Sequence, residues 1–391
     1  MSNPNSRQTK PGITGHLEFY REKGISPVRQ DLSDMGRHLA RREALYRSMG
    51  LLPMTFRDRT VLEVAPGSGD NSLFVAACNP KVFDLLEPNP VAIDDIETLY
   101  RSFDTPHRNP KVIPEKLEDF QPEAAYDVIL CEGWLGGSDK ERQLLGKLSG
   151  FVAPEGALVI SFLPVVGAVP TMLRRLLAYR ILSADADFET QTGILTAAFG
   201  THLDTMPKMS RAHASWVQDN ILNPAVLAQV LLPKTVFETL GDDFTIYGSN
   251  PRLFTDWRWY KSVSGEAHEE NALFLEAFEG SAHNFLDYRI AHPPRDAEAN
   301  RVLEAASLAL YEAVPEAEGE GTDTYEKRIA PHLRVIIENL ADIAPETVKG
   351  LEEAQALLER ETLGVGDIAE ASLFAGLFGR EMCYLTLTRR A

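Results

Sequence analysis

Between Val61 and Ser72 the chain reads Val-Leu-Glu-Val-Ala-Pro-Gly-Ser-Gly-Asp-Asn-Ser, an apolar run broken by the carboxylate of Glu63 and followed by a Gly-x-Gly turn. Val61 to Val64 predict a short strand. Gly67 and Gly69 give a backbone that turns sharply and tolerates close approach, and Leu73 to Ala77 predict the helix that follows. Strand, glycine loop and helix in that succession describe a cofactor site.

Further strands follow the same logic. Lys81 to Glu87 is apolar and closes on a carboxylate, with Asn89 and Pro90 opening a helix through Ile93, Ile96 and Leu99. Val112-Ile113 is a short strand, Tyr126 to Glu132 a longer one that leads into Gly133-Trp134, and Ala157 to Phe162 a fifth, introduced by the turn Pro154-Glu155-Gly156. Strands alternating with helical stretches predict a parallel sheet covered by helices, which places ligands outside the carboxyl ends of the strands. The two oxygens of Glu87 match two neighbouring hydroxyl donors of a ribose.

Val61 to Ser72 resembles motif I of the class I S-adenosylmethionine (SAM) dependent methyltransferases, and Tyr126 to Glu132 resembles their motif IV; the resemblance covers residues 58 to 165. A dinucleotide site is the competing reading. It asks for G-x-G-x-x-G and a bare helix N-terminus for a diphosphate. Here Ser72 holds the third position and Asp70 follows the loop directly, a carboxylate that repels a diphosphate and suits a cofactor carrying a sulfonium and an ammonium. The resemblance implies SAM as cofactor and S-adenosylhomocysteine (SAH) as product. It implies a cofactor site at Glu63, Ala65, Gly67, Gly69, Asp70, Glu87, Asn89, Cys131 and Gly133, with the adenine near Leu117 and Glu118. Lys116 departs from the acidic residue usual there.

The fold expected is α/β: a Rossmann-like class I methyltransferase sheet with helices on both faces, plus an N-terminal helical lid, an inserted cap and a C-terminal helical region. Residues 1-57 form the lid, 58-264 the SAM-binding domain with a helical insertion about 166-235, and 265-391 a mainly helical region. In the lid, His16 to Glu22 reads as a helix and Val28 to Met49 as a longer one. Tyr20, Arg29 and Gln30 are its candidates to approach the ligands; Phe19 and Tyr20 serve equally well as packing residues. The segments Ile25 to Asp31 and Thr255 to Tyr260 are similar to those of bacterial methyltransferases of this arrangement.

Beyond Pro164, Thr171 to Leu182 reads as an amphipathic helix with Arg174 and Arg175 on its polar side, and Leu195 to Leu203 continues the cap. Lys208 to Asn220 is rich in groups that orient a polar substrate, with Ser210 as its N-cap. Phe244 to Gly248 and Trp257 to Lys261 read as the antiparallel pair that closes a seven-stranded sheet. Residues 265 to 380 carry apolar residues at helical spacing and no catalytic motif, which suggests a bundle that walls the pocket or makes a homodimer. Cys383 to Thr388 alternates like a strand returning to a sheet edge, with Gly379 ending the helix before it.

Composition narrows the function. The 391 residues exceed one bare methyltransferase core, and a net charge of -18 argues against a nucleic-acid partner. Arg37, Arg41, Arg42 and Arg47 form a basic strip that reads as the wet face of an amphipathic helix. Cys78, Cys131 and Cys383 are widely spaced and make neither a metal cluster nor a disulfide framework, so no metal is expected. No apolar run is long enough to span a bilayer, and Met1 to Pro11 is a polar tail without a signal-peptide pattern; the cytoplasm is the expected compartment. The reading is methyl transfer from SAM to an O or N atom of a small polar metabolite, for example a sugar or sugar conjugate. His213, His202 and Glu132 are the candidate bases, and Trp134, Arg211 and Asn220 the substrate-binding candidates. Two alternatives stay open: an aminopropyl transferase using decarboxylated SAM, and a noncatalytic methyltransferase-like scaffold.

Overall fold

The computed structural model describes residues 15–26, 29–102, 110–263 and 265–391. The polar tail Met1 to Pro11, and Pro27 and Val28 of the lid, lie outside the described residues. The chain divides into two units: residues up to Phe162 with Leu231–Leu275 and Met382–Ala391, and Leu163–Val230 with Glu276–Glu381. The inserted segment and the C-terminal helices therefore share one unit, where the sequence suggested two separate regions, and the N-terminal helices belong with the sheet.

The first unit opens with helices α1 (His16–Lys23) and α2 (Met35–Ser48), then β1 (Thr60–Val64), α3 (Ser72–Ala77), β2 (Val82–Leu86), α4 (Pro90–Ser102), β3 (Lys111–Ile113), β4 (Tyr126–Cys131), α5 (Asp139–Ser149) and β5 (Val152–Phe162). Helix α2 begins at Met35, not Val28: Asp34 caps it by accepting from the Arg37 amide, which fixes the start seven residues later than the apolar pattern suggested. The sheet has seven strands in the order β3-β2-β1-β4-β5-β7-β6, where β6 is Phe244–Asn250 and β7 is Cys383–Arg389. Strands β1 to β5 pair in parallel, and β7 runs antiparallel to both β5 and β6.

Two strand expectations need correction. Trp257 to Lys261 is not a strand: the segment is irregular, ending in a short 3-10 turn, and Arg258 is tied to Asp256, Glu269 and Glu270 instead of to a neighbouring ladder. Its place is taken by β7, which lies between β5 and β6 and not at an edge. The Asn271 side chain meets β6, accepting from the Ile246 amide and donating to the Phe244 carbonyl.

The central strands are buried on both faces, as parallel strands covered by helices must be. On one face Val61, Leu85, Val128, Leu130 and Val159 pack under Tyr46 and Met49 of α2, Leu73 to Ala76 of α3, and Ile96 and Tyr100 of α4. Glu63 alternates with Val61 and so points into this apolar layer. A seven-stranded mixed sheet in this order, wrapped by helices, is the Rossmann-like class I methyltransferase fold with extra helical elements.

The second unit is helical: α6 (Val165–Ile181), α7 (Phe188–Asp204), α8 (His213–Val217) and, from the later segment, Ala297–Ala317, Ala330–Leu340 and Pro345–Leu358 among others. Arg174 and Arg175 are fully buried, not on a polar face. Arg174 lies between the rings of Phe374 and Phe378, 4.5 and 3.7 Å from their centroids, and donates to the carbonyls of Leu377, Ala375 and Phe374. Arg175 pairs with Glu318 at 2.7 Å. Ser210 does not cap α8, whose N-cap is Ala212 without a side-chain bond. Gly379 does not end a helix either: the preceding one stops at Ala375, and a side chain on Gly379 would overlap the Gly167 carbonyl, so the glycine serves close backbone approach.

Candidate functional site

The glycine loop joins β1 to α3 in the conformation its sequence requires. Gly67 and Gly69 have φ of +62° and +80°, and a Cβ on Gly69 would come within 2.9 Å of Ile96 Cγ1. Ala65 also takes a positive φ of +54°, a strained value for a residue with a side chain. Glu87, at the end of β2, accepts from the Gly67 amide through Oε2 at 3.1 Å and from the Asn89 amide through Oε1 at 2.8 Å. Burial pushes its pKa up to about 7, against the pull of those two amides.

The N-terminal segment is fastened across the loop. The Gln30 amide donates to Asp70 Oδ2 at 2.6 Å, and the His38 ring bonds the Asp70 carbonyl oxygen at 2.8 Å. Burial also raises the Asp70 pKa, although the Gln30 amide and the Ser68 hydroxyl favour its ionised form. Asn89 donates to the Ile25 carbonyl at 3.2 Å, and Arg21 to the Pro88 carbonyl at 2.5 Å. Tyr20 is buried, with its hydroxyl 3.5 Å from His16 Nδ1 and its ring beside Phe19, the packing use named as its alternative.

A second cluster lies under α2 at the carboxyl ends of β1 and β4. Arg42 Nη2 donates to both oxygens of Glu132, at 3.0 and 2.9 Å, and to the Tyr46 hydroxyl at 2.8 Å; that hydroxyl donates on to Glu132 Oε1 at 2.8 Å. Arg42 is thus buried and leaves the basic strip in which the sequence placed it. Desolvation opposes its charge, but the facing Glu132 wins and holds its pKa above the ordinary value. Tyr384 of β7 faces the same pair. Glu63 is 5% exposed, and neither its Oε2 nor Ser72 Oγ has a hydrogen-bond partner of normal geometry. Burial first, then the charge of Glu132, pushes the Glu63 pKa up to about 7.

The remaining sequence candidates spread over both units. In the first, Cys131 is buried and its thiol pKa raised by desolvation, the Gly133 amide donates to Ser161 Oγ at 2.6 Å, and the Trp134 indole N–H is buried beside the Cys131 thiol. Leu117 is buried, and Glu118 pairs with Lys140 at 2.9 Å. In the second, Arg211 pairs with Asp219 at 2.8 Å, and Asn220 donates to the Trp216 carbonyl at 3.0 Å. Gln218–Leu222 there forms a widened π turn, a geometry common at functional sites. His213 Nε2 stands 3.4 Å from Asp204 Oδ1. His202 is fully buried and bonds the Ile368 carbonyl at 2.8 Å, and desolvation lowers its pKa to about 4.

Sequence reasoning missed His38, Arg42, Tyr46 and Tyr384. The first three recur at i, i+4 along α2, so they share one face, and that spacing was the available signal.

No family model matches the chain, and no curated protein matches it. Solved structures do. The [4+2]-cyclase SpnF is 10% identical with 98% of this chain and 100% of that one covered, at a TM-score of 0.38. Coclaurine N-methyltransferase, bound to N-methylheliamine and SAH, is 12% identical over 93% and 74% of the two chains, at 0.36. The N-methyltransferase NodS of Bradyrhizobium japonicum WM9, in complex with SAH, is 17% identical over 37% and 72%, at 0.28. Likenesses this low in identity and TM-score identify no substrate, and the reading of the site rests on its own residues. The strand order, the glycine loop at the end of β1 and the carboxylate at the end of β2 together make this a chain with the class I methyltransferase fold.

Proposed function

We propose that the first unit binds SAM and that the protein transfers its methyl group to an O or N atom of a small polar metabolite, releasing SAH; sugars and sugar conjugates are the acceptors to screen first. The observation that carries this reading is the ring of buried carboxylates, Glu63, Asp70 and Glu87, around a glycine loop with little room above Gly69. Three acidic groups oppose a diphosphate and complement a cation. Glu63 Oε2 is buried without a hydrogen bond of normal geometry, and burial raises the pKa of all three carboxyls.

In this reading Glu87 holds the ribose hydroxyls with the lone pairs its two amide bonds leave over. Gly67 and Gly69 let the backbone approach, and Asn89, Cys131, Gly133, Leu117 and Glu118 complete the cofactor residues. Tyr20 and Gln30 take part through the N-terminal strap. SAM supplies a methyl carbon already activated by its sulfonium, so the protein's task is alignment and exclusion of water. Glu132, with both oxygens held by Arg42 and Tyr46, is better suited to fixing position than to taking a proton. Of the histidines, His213 is the stronger candidate base, because His202 is sealed in an apolar core. Trp134, Arg211 and Asn220 are the proposed acceptor-binding residues, and the helical second unit a proposed homodimer contact.

Calorimetric titration with SAM and, separately, with NAD and decarboxylated SAM tests the assignment. SAM should bind in preference to both, and Glu87→Ala should weaken it by about 1.5 to 3 kcal/mol, the cost of hydrogen bonds to a charged group. Preferred binding of NAD or of decarboxylated SAM, or binding of none of the three, would sink the reading.

A further inference from the structure

Strand β7 runs against β5, so its first residues lie where β5 ends: Cys383 pairs with Phe162 and Tyr384 with Ser161. The start of β7 therefore joins the edge of the sheet at which β1, β2 and β4 finish, the edge outside which an open α/β sheet holds its ligands. Met382, the residue just before β7, stands at that edge with 45% of its surface exposed. A large apolar side chain left in solvent beside a polar site calls for a use.

Two contacts fix its place. The Tyr384 hydroxyl donates to Met382 Sδ at 3.1 Å. The Met382 methyl carbon lies 3.6 Å from the point that a Cβ on Gly133 would take, and among the described residues nothing else outside Glu132 and Trp134 comes within 4 Å of that point. Gly133 opens the loop after β4 with a φ of +87°, and its amide is held by Ser161 Oγ at 2.6 Å. The space over this glycine thus has a thioether as its one wall from outside the loop. Methionine is unbranched and has three rotatable bonds, so such a wall can move and refit, and its sulfur favours the edges of aromatic and other apolar rings.

We propose that Met382 is a specificity-determining residue of the acceptor site: its thioether is the movable wall of the space over Gly133, and the acceptor lays the apolar face of a ring against it beside the reacting O or N atom. The inference rests on the SAM reading above, which sets Gly133 among the cofactor residues and Trp134 among those that bind the acceptor. Two chemistries supply such a face, an aromatic ring and the C–H side of a sugar ring.

The test uses the full chain with its eight methionines carrying labelled methyl carbons, the Met382 signal being identified by its loss in Met382→Leu. Addition of SAH should shift the Met382 signal and leave that of Met54, which is more exposed at 68% but lies in the segment leading into the amino end of β1. With SAH bound, phenol and methyl β-glucoside serve as ring probes and glycerol as the acyclic control. A further shift with phenol identifies an aromatic acceptor, one with the glucoside a sugar, and glycerol should cause none. Met382→Ala should weaken the effective ring probe by about two- to tenfold, read on the probe's own proton signals, since a sulfur contact with a ring is worth about 0.3 to 1.5 kcal/mol.

SAH that binds by calorimetry without moving the Met382 signal would overturn the inference and leave the cofactor reading standing. So would ring probes that act no more strongly than glycerol, or that bind Met382→Ala undiminished. A protein that binds no SAH by calorimetry would take down the cofactor reading and this inference with it.

Discussion

Burial of ionisable side chains has opposite consequences for acids and for a histidine in this molecule. Glu63 and Glu87 have folded pKa values raised from 4.5 to about 7, so each favours the folded state fully below its unfolded value and loses that contribution as pH rises through 7. Each of these two changes corresponds to about 3 kcal/mol at most. Glu304 in the second unit, also raised to about 7 by burial, has the same sign. His202 works the other way: buried and neutral, with a pKa lowered from 6.5 to about 4, it costs stability as pH falls across that interval. The urea midpoint of the ligand-free protein should therefore fall from about pH 4.5 to about pH 7 and level off above, the fall being shallower below about pH 6.5, where His202 opposes it. Glu63→Gln should flatten this fall; an unchanged slope would show that Glu63 is not the group responsible. Buried arginines mark where the sequence was hard to read. Arg174 and Arg42 sit at positions any amphipathic pattern assigns to solvent. Their burial depends on rings and carbonyls brought by remote segments, such as Phe374 and Leu377 around Arg174, which no local window contains.

At the level of elements, legibility followed how local the cause was. The strands β1, β2 and β4 emerged close to their expected bounds because continuous apolar runs flanked by turn residues suffice to specify a doubly covered strand. Trp257 to Lys261 failed for the complementary reason. Its aromatic content mimics a strand, while Arg258, forked onto Asp256 and reaching Glu269 and Glu270, holds the segment in a turn with Trp257 90% exposed. Start signals carry measurable weight too. Helix α5 opens on a capping box in which Ser138 Oγ accepts from the Glu141 amide and the Glu141 carboxylate accepts from the Ser138 amide. Ser138→Ala should cost about 1 kcal/mol in equilibrium unfolding. A loss no larger than experimental error would mean that tertiary contacts alone fix the start of α5.

For the molecule as a whole, the division into two units allows a ligand to be located without knowing its pose. SAM at about one hundred times its Kd should add about 2.7 kcal/mol to the stability of whatever unfolds with the site. Hydrogen exchange should then slow at amides of the first unit, most of all in β1, the glycine loop and α2. Protection confined to the helical unit would place the ligand elsewhere. The candidate site was legible to the extent that it is built from one strand-loop-helix and the ends of its neighbours. The strap from Gln30 to Arg42 was not, because its contacts reach across the chain to Asp70 and Glu132.

Strand β7 pairs with β5 on one side and β6 on the other, yet the helical segment Glu276–Glu381 precedes it in the chain. During synthesis on the ribosome, β5 and β6 must therefore wait with open edges until that whole segment has emerged. A nascent chain stalled within the helices would present two unpaired strand edges, the template on which foreign strands add. A chaperone that covers those edges, or a quick run of translation, would shorten the interval before β7 closes the sheet.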